Sequence, residues 1–186
     1  CNIMKIRFTI FDQDDLGTMP AEEFDCNCEV VYGYFEISFG EHAEGQYYDF
    51  DIPEELVGGE ALGYWFSSLL DALQLFQNEK TNYVAIRVIE YVDRWIEIKK
   101  IREKVCLNIA HASDPRENEA LLLTSQLYDA VYEPPLDTLE NYDSFYREII
   151  RATTEFLHEM KNINSDSIKA PRFNKLLNSL HELENK

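Results

Sequence analysis

The sequence predicts an α+β fold: a mainly antiparallel sheet of about five to seven strands, an amphipathic helix packed on it, and a C-terminal pair of helices. Three observations predict it. Several short runs alternate apolar and polar residues and are joined by short links, which is the pattern of antiparallel strands. Segment 60–77 instead places Leu62, Trp65, Phe66, Leu69, Leu70, Leu73 and Phe76 at three- and four-residue steps, a stripe that must face a sheet. Past residue 140 the alternation gives way to two further helical stripes. Residues 4–136 therefore read as a sheet domain, and residues 137–186 as a helical extension packed on the same domain.

In chain order, Met4, Ile6, Phe8 and Ile10 alternate with Lys5, Arg7 and Thr9, so the first element is a half-buried strand. A polar loop is expected over 12–23, around Gly17 and Pro20. Segment 29–39 is a second strand, with Val31, Gly33, Phe35, Ile37 and Phe39 on one face and Tyr32, Tyr34, Glu36 and Ser38 on the other. Residues 40–45, bounded by Gly40 and Gly45, read as a turn, and 46–52 as a third strand ended by Pro53. Gly58 and Gly59 break the chain before the 60–77 helix. A second meander is expected over 83–91, 95–101 and 104–110, with short turns between. Segment 119–132 fits strand or helix, and a strand followed by irregular chain is favoured, stopped by Pro134 and Pro135. A helix runs from 141 or 143 to about 162 on Phe145, Ile149, Thr153, Phe156 and Met160. After a linker at 162–167, Pro171 opens a last helix on Phe173, Leu176, Leu177, Leu180 and Leu183.

At 186 residues with 45% apolar content, the chain can bury a core without disulfides or a structural metal. Cys1, Cys26, Cys28 and Cys106 show no secreted disulfide framework and read as four thiols in a reducing compartment. No basic segment followed by an apolar run stands near the start, and no run of about 18 apolar residues occurs, so a cytoplasmic location is expected.

Charge is the most uneven property of the sequence. The net charge is −18, from 35 acids and 17 bases. Residues 8–79 contain 17 of the acids and no Lys or Arg, leaving 18 acids against 17 bases elsewhere. Solubility asks only for a net charge, so it accounts for the total but not for the segregation. Solubility alone and complementarity to a cationic protein through one uniform acidic face are both open readings of the charge layout. The same charge opposes nucleic acid and anionic membrane as partners.

Motifs for chemistry are few. Asp12, Asp14, Gly17 and Glu23 fit positions one, three, six and twelve of an EF-hand calcium loop. Leu16 stands where an oxygen ligand belongs, and a strand precedes the loop, so a solvated acidic loop is the plainer account. Asp49 and Asp51, two apart on a strand, would share a face and suit a cation or acid–base work. His42, His111, His158 and His181 lie in four different elements, and none has a metal-site spacing. His111, after a strand end and before Ser113 and Asp114, stands where a catalytic histidine would sit, although surface loops also carry histidine. Trp65, Trp95 and most of the 11 Tyr and 11 Phe suit a core, while Tyr32, Tyr34, Tyr47 and Tyr48 would line a face. No catalytic, metal or cofactor residue is assigned and no cofactor is expected. The candidate partner-binding residues are Glu36, Glu41, Glu44, Tyr47, Asp49, Asp51 and Tyr34.

A small acidic α+β chain with a strand run, a Trp-bearing amphipathic helix and a second meander resembles the immunity proteins of bacterial polymorphic toxin systems. The resemblance covers the overall plan of residues 4–110 and carries over no individual residue. It implies a non-enzymatic domain that neutralises a basic toxin, often a nuclease, by binding it. Two other functions remain open: a metal-binding domain or metal-assisted hydrolase using clustered carboxylates with a histidine such as His42, and a small-ligand binder with its pocket between the Tyr-rich strands and the Trp65 helix.

Overall fold

A computed structural model of the chain describes residues 3–25, 31–50, 58–118 and 120–185. The strands divide between two antiparallel sheets. The first holds β1 (Lys5–Ile10), β2 (Tyr32–Phe39), β3 (His42–Gln46) and the short β4 (Glu60–Ala61). Gly33 pairs with Ile10 on one side and Glu60 on the other, so β3 and β4 share the edge of β2 opposite β1. The second sheet has the order β10 (Thr138–Asn141), β7 (Lys104–His111), β6 (Arg94–Ile101), β5 (Tyr83–Arg87) and β8 (Leu122–Leu123), with β9 (Val131–Tyr132) also on β7. The second meander forms as the alternation predicts, and so do the first two strands of the first. The favoured account of 119–132 also holds, with β8 and β9 as two-residue pieces in otherwise irregular chain.

Two segments differ from the expectation. The 12–23 loop is instead a short helix, α1 (Gln13–Thr18), and a 3-10 turn (Ala21–Asp25). Leu16 and Phe24 are buried there, and Asn164 donates from Nδ2 to the carbonyls of Leu16 and Met19, both at 2.8 Å. Buried anchors of that kind override a polar composition. The third strand is His42–Gln46, and the turn before it is only Gly40 and Glu41. Gly45 is therefore a strand glycine: at φ +83° a Cβ there would come within 2.0 Å of the Phe35 carbonyl. Of the expected 46–52 strand, Tyr47 to Phe50 lie outside regular structure, and Asp51 and Ile52 lie outside the described residues.

Helix α2 (Leu62–Gln77) is buried on nearly all sides, and all seven stripe residues are in the core. Gly33 makes room on β2 for both β1 and the first residue of this helix: a Cβ there would lie 1.8 Å from the Thr9 carbonyl oxygen and 2.8 Å from Leu62 Cδ1. Trp65 stacks on Phe35 at 4.7 Å, and Phe66 stacks on Phe156 at 4.6 Å while meeting Phe8 edge-on. Phe156 belongs to α3 (Tyr142–Ile163), which touches β1, β7 and β10. Its N-terminus is capped by Asn141, whose side-chain oxygen accepts from the Ser144 N–H. Helix α4 (Pro171–Glu184) packs on α2 and α3, with Phe173, Leu176, Leu180 and Leu183 buried. One apolar cluster therefore runs from β1 to α4 and joins the sheet part to the helical extension.

The free edge of β1 is closed by side chains. The Ile6 N–H donates to Glu148 Oε1 at 2.8 Å, and Arg151 Nη2 donates to the Ile6 carbonyl at 2.9 Å. Arg151 also donates to Glu148, so an acid and a base on α3 together imitate a neighbouring strand. This protects an edge that would otherwise present a template for pairing. Burial works to raise the Glu148 pKa, but the bonds from Arg151 and Ile6 outweigh it and hold the carboxyl below its ordinary range.

A carboxyl whose folded pKa is lowered contributes stability above its unfolded pKa and loses it as pH falls through the folded value. The stability gap between the native chain and Glu148→Gln should therefore be widest near neutral pH and close below about pH 4, as read by urea denaturation at several pH values. Phe66→Ala, which empties the aromatic junction of β1, β2, α2 and α3, should cost about 3–5 kcal/mol in the same assay at neutral pH.

Candidate functional site

The candidate partner-binding residues do not form one exposed face. Tyr34 is buried, edge-on to Phe11 and Tyr48. Glu44 faces inward opposite Ile37, is 3% exposed, and is held by Arg94 at 2.5 Å. Glu36 is paired with Arg7 at 2.6 Å, and Tyr47 lies against the same guanidinium, 4.6 Å from ring centroid to carbon. Glu41 and Asp49 are exposed. Asp51 lies outside the described residues, so the Asp49–Asp51 pair does too. The turn holding Glu41 is at the opposite end of the first sheet from Asp12, because β1 and β2 run antiparallel from Lys5–Ser38 to Ile10–Gly33. The acids of segment 8–79 thus face solvent at more than one end of the sheet.

Two polar clusters that periodicity did not single out are built on the second sheet. The first is a seam. Arg94, at the start of β6, is tied to Glu44 of the first sheet and to Glu133 after β9, both at 2.5 Å. His111 Nε2 lies 2.6 Å from Glu133 Oε1, and its Nδ1 lies 3.6 Å from Asp93 Oδ1. Burial alone would raise the Glu133 carboxyl, but His111 and Arg94 bring it below the ordinary range. His42 completes the seam, its Nε2 lying 2.8 Å from the Pro135 carbonyl oxygen. That carbonyl is exposed to His42 by a break in the edge strand. Tyr132 lies opposite Ala110 and Thr138 opposite Leu107, so six steps along the outer strand match three on β7. Pro134 and Pro135, with no N–H to offer the ladder, sit in the three-residue excess. Both histidines thus serve contacts between segments.

The second cluster lies on the sheet face turned away from the helices. Glu97, 0% exposed, accepts from Tyr83 Oη at 2.9 Å, Tyr132 Oη at 3.0 Å, Lys99 Nζ at 2.9 Å and Asn108 Nδ2 at 3.5 Å. Lys99 sits between the two tyrosine rings, 5.9 Å from each centroid. Burial, and then the neighbouring Glu97, raise the Tyr83 hydroxyl above its usual pKa. Asn108 and Cys106 both donate to Asp137, at 3.2 Å each, and together hold that carboxyl low. Burial followed by the Asp137 bond pushes the Cys106 thiol up to about 12.

Residues 112–118 and 120–130 roof one side of this face. Trp95 packs there with Ala112, Leu123 and Leu127, and its Nε1 donates to the Ala112 carbonyl at 3.0 Å. Arg116 binds Asp114 twice, the Gln126 carbonyl and the Ser125 hydroxyl, and pins the roof. The Arg116 bond, partly offset by burial, holds the Asp114 carboxyl well below the usual range.

Chemically, the cluster around Glu97 is saturated. Glu97 has four donors and no water-facing side, and Cys106 is a protonated thiol, the unreactive form. Among the described residues, no group of three His, Cys, Asp or Glu side chains could hold a metal ion. The EF-hand spacing at Asp12 is folded into α1 and does not form a ligating loop. Among the described residues, no helix is long and apolar enough to cross a membrane. The chain matches no family model, no curated protein and no solved structure.

In the folded protein, iodoacetamide should leave Cys106 unmodified at pH 8, whereas urea should expose it to complete alkylation. Peptide mass spectrometry would separate Cys106 from the other three cysteines.

Proposed function

We propose that this chain is a non-enzymatic protein-binding domain whose partner is a cationic protein. The observation that supports this reading is the unequal use of the two signs of charge. Arg94, Lys99, Arg116 and Arg151 are each bound to a carboxylate withdrawn from water: Glu44, Glu97, Asp114 and Glu148. Meanwhile Asp12, Asp14, Asp15, Glu22, Glu23, Glu41 and Asp49 remain at the surface. Internal pairing removes one base with each buried acid, so the surplus of 35 acids over 17 bases stays and supports a negative exterior field. Such a field selects basic partners and raises the rate of encounter more than the final affinity.

The site within this reading moves from the sheet residues chosen on sequence to the α1 end, where five acids fall within residues 12–23. The finer reading, neutralisation of a basic toxin in the manner of immunity proteins, draws on the resemblance of the overall plan and on the same charge. A bacterial, cytoplasmic setting belongs to that finer reading.

Biolayer interferometry of the purified chain against the product of the adjacent reading frame tests both levels. The expected association rate falls at least tenfold as salt is raised from about 50 to 500 mM, with a weaker effect on dissociation. The triple change Asp12→Asn, Asp14→Asn, Asp15→Asn should slow association several-fold at low salt. An interaction indifferent to both would end the electrostatic reading. Growth arrest by that neighbouring product alone, relieved by co-expression of this chain, would support the immunity reading.

A further inference from the structure

Strand β5 stops at Arg87 and β6 starts at Arg94, so Val88 to Asp93 form the link between them. Links of this kind are built mostly from Gly, Asn, Asp, Ser and Pro. This one reads Val-Ile-Glu-Tyr-Val-Asp, and only Val88 is buried. Ile89 is 40% exposed, Tyr91 53% and Val92 74%. A fourth exposed apolar side chain adjoins them. Arg94, His111 and Val131 lie directly opposite one another across β6, β7 and β9 and so share a face, and Val131 is 68% exposed. The Tyr91 ring lies at the Arg94 end of that row, its centroid 5.5 Å from the guanidinium carbon. We propose that this hairpin tip, together with Val131, is the apolar anchor for a basic segment of the partner protein, one whose apolar side chains are flanked by Lys or Arg. The proposal rests on the cationic-partner reading above and says where such a partner is gripped.

The fold makes no use of these side chains. Val88 serves the core, while Ile89, Tyr91 and Val92 face water beside it. Adjoining apolar side chains left in water mark a contact with another protein, and Tyr is among the residues that most often dominate such a contact. The tip is also held in shape. The Val88 N–H donates to the Arg94 carbonyl at 2.9 Å, the Tyr91 N–H to the Val88 carbonyl at 3.1 Å, and the Ala112 N–H to the Asp93 carbonyl at 2.8 Å. Side chains carried on ordered backbone lose less freedom on binding.

Charge identifies the occupant. Glu90 is exposed within the tip, Asp93 keeps 48% of its side chain exposed, and Asp129 is exposed just before Val131. Arg94, the base that ends the link, is shared by Glu44 and Glu133. A second copy of this chain, also at −18, would meet its own sign of charge there. A basic segment meets the opposite sign at the rim while its apolar side chains cover Tyr91 and Val92. The tip also stands towards the α1 end of the first sheet. Burial raises the Glu60 carboxyl, and Glu90 close by raises it further. Glu60 lies opposite Gly33, and Gly33 opposite Ile10, shortly before Asp12. Acids that attract a basic partner and apolar side chains that hold it therefore flank one end of the sheet.

The test is an amide NMR titration of the full chain with two synthetic peptides of about twelve residues, one of alternating Lys and Leu and one of alternating Glu and Leu. Saturable shifts of the amides of residues 88–93 and 131–133 with the Lys–Leu peptide, and none with the Glu–Leu peptide, support the proposal. The double change Tyr91→Ser, Val92→Ser should weaken the Lys–Leu peptide about tenfold at a level melting temperature, and Tyr91→Phe should keep its binding. Val131→Ser, on a different strand, is the second variant should the double change not fold. Shifts confined to residues 12–25 would overturn this placement and leave the cationic-partner reading standing. No shift at the hairpin, equal shifts from the Glu–Leu peptide, or unchanged affinity in a folded variant would overturn it as well. The cationic-partner reading fails separately, on an association rate indifferent to salt.

Discussion

A carboxylate removed from water must find its counter-charge or its donors inside the fold, and this constraint organises the molecule. Breaking such a pair leaves a buried charge and typically costs about 3–5 kcal/mol. The partners come from distant places in the chain. Glu148 of α3 reaches the β1 backbone, Glu44 of the first sheet meets Arg94 of the second, and Glu97 gathers two tyrosines from strands 49 residues apart. The apolar core supplies most of the driving force. The acids decide which edges and seams meet, because a displaced sheet would strand one of them.

The same constraint acts on both signs of charge alike. Glu44, Glu97, Asp114 and Glu148 are each matched by one lysine or arginine, while the buried Glu140 is served by the Met4 backbone instead, so pairing leaves the surplus of acids over bases intact. Sequence segregation alone, with no base over residues 8–79, suggested one uniform acidic face. The fold converts it into something different. Glu36 and Glu44 are neutralised by bases from either side of that segment, Glu60 accepts from Trp65 and has its pKa raised by burial, and the exposed remainder gathers most densely at α1.

What was legible in the sequence follows from which interactions are local. The α2, α3 and α4 stripes were readable because helical periodicity records one buried face. The strands of the second meander and the first two of the first were readable because short apolar runs and alternation, punctuated by turns, record strands laid against a core. Gly45 was misleading, because a strand glycine forced by close backbone approach looks the same in sequence as a turn glycine. The 12–23 segment was misleading because Leu16 and Phe24 are isolated anchors, satisfied by Asn164 some 148 residues beyond Leu16. Asn108 and Asp137 left no local signal. A charged residue in the middle of the apolar β6 run, Trp95-Ile96-Glu97-Ile98, was the one sign that the outer face of that strand holds a buried acid. The seam histidines were visible as candidates, but their partners were not.

The acidic end is tied to the core through the element that carries two of its acids. Glu22 and Glu23 belong to the 3-10 turn whose next residue, Phe24, is buried and meets Phe173 of α4 edge-on at 5.7 Å. That turn contacts α4, and its neighbour α1 contacts α3. The exposed acids of this end are therefore held in place by the burial of Leu16 and Phe24 against the helical layer. Charge at the surface and packing in the core are not independent here: the polar composition of the segment decides what it shows to solvent, and two apolar side chains decide where it shows it.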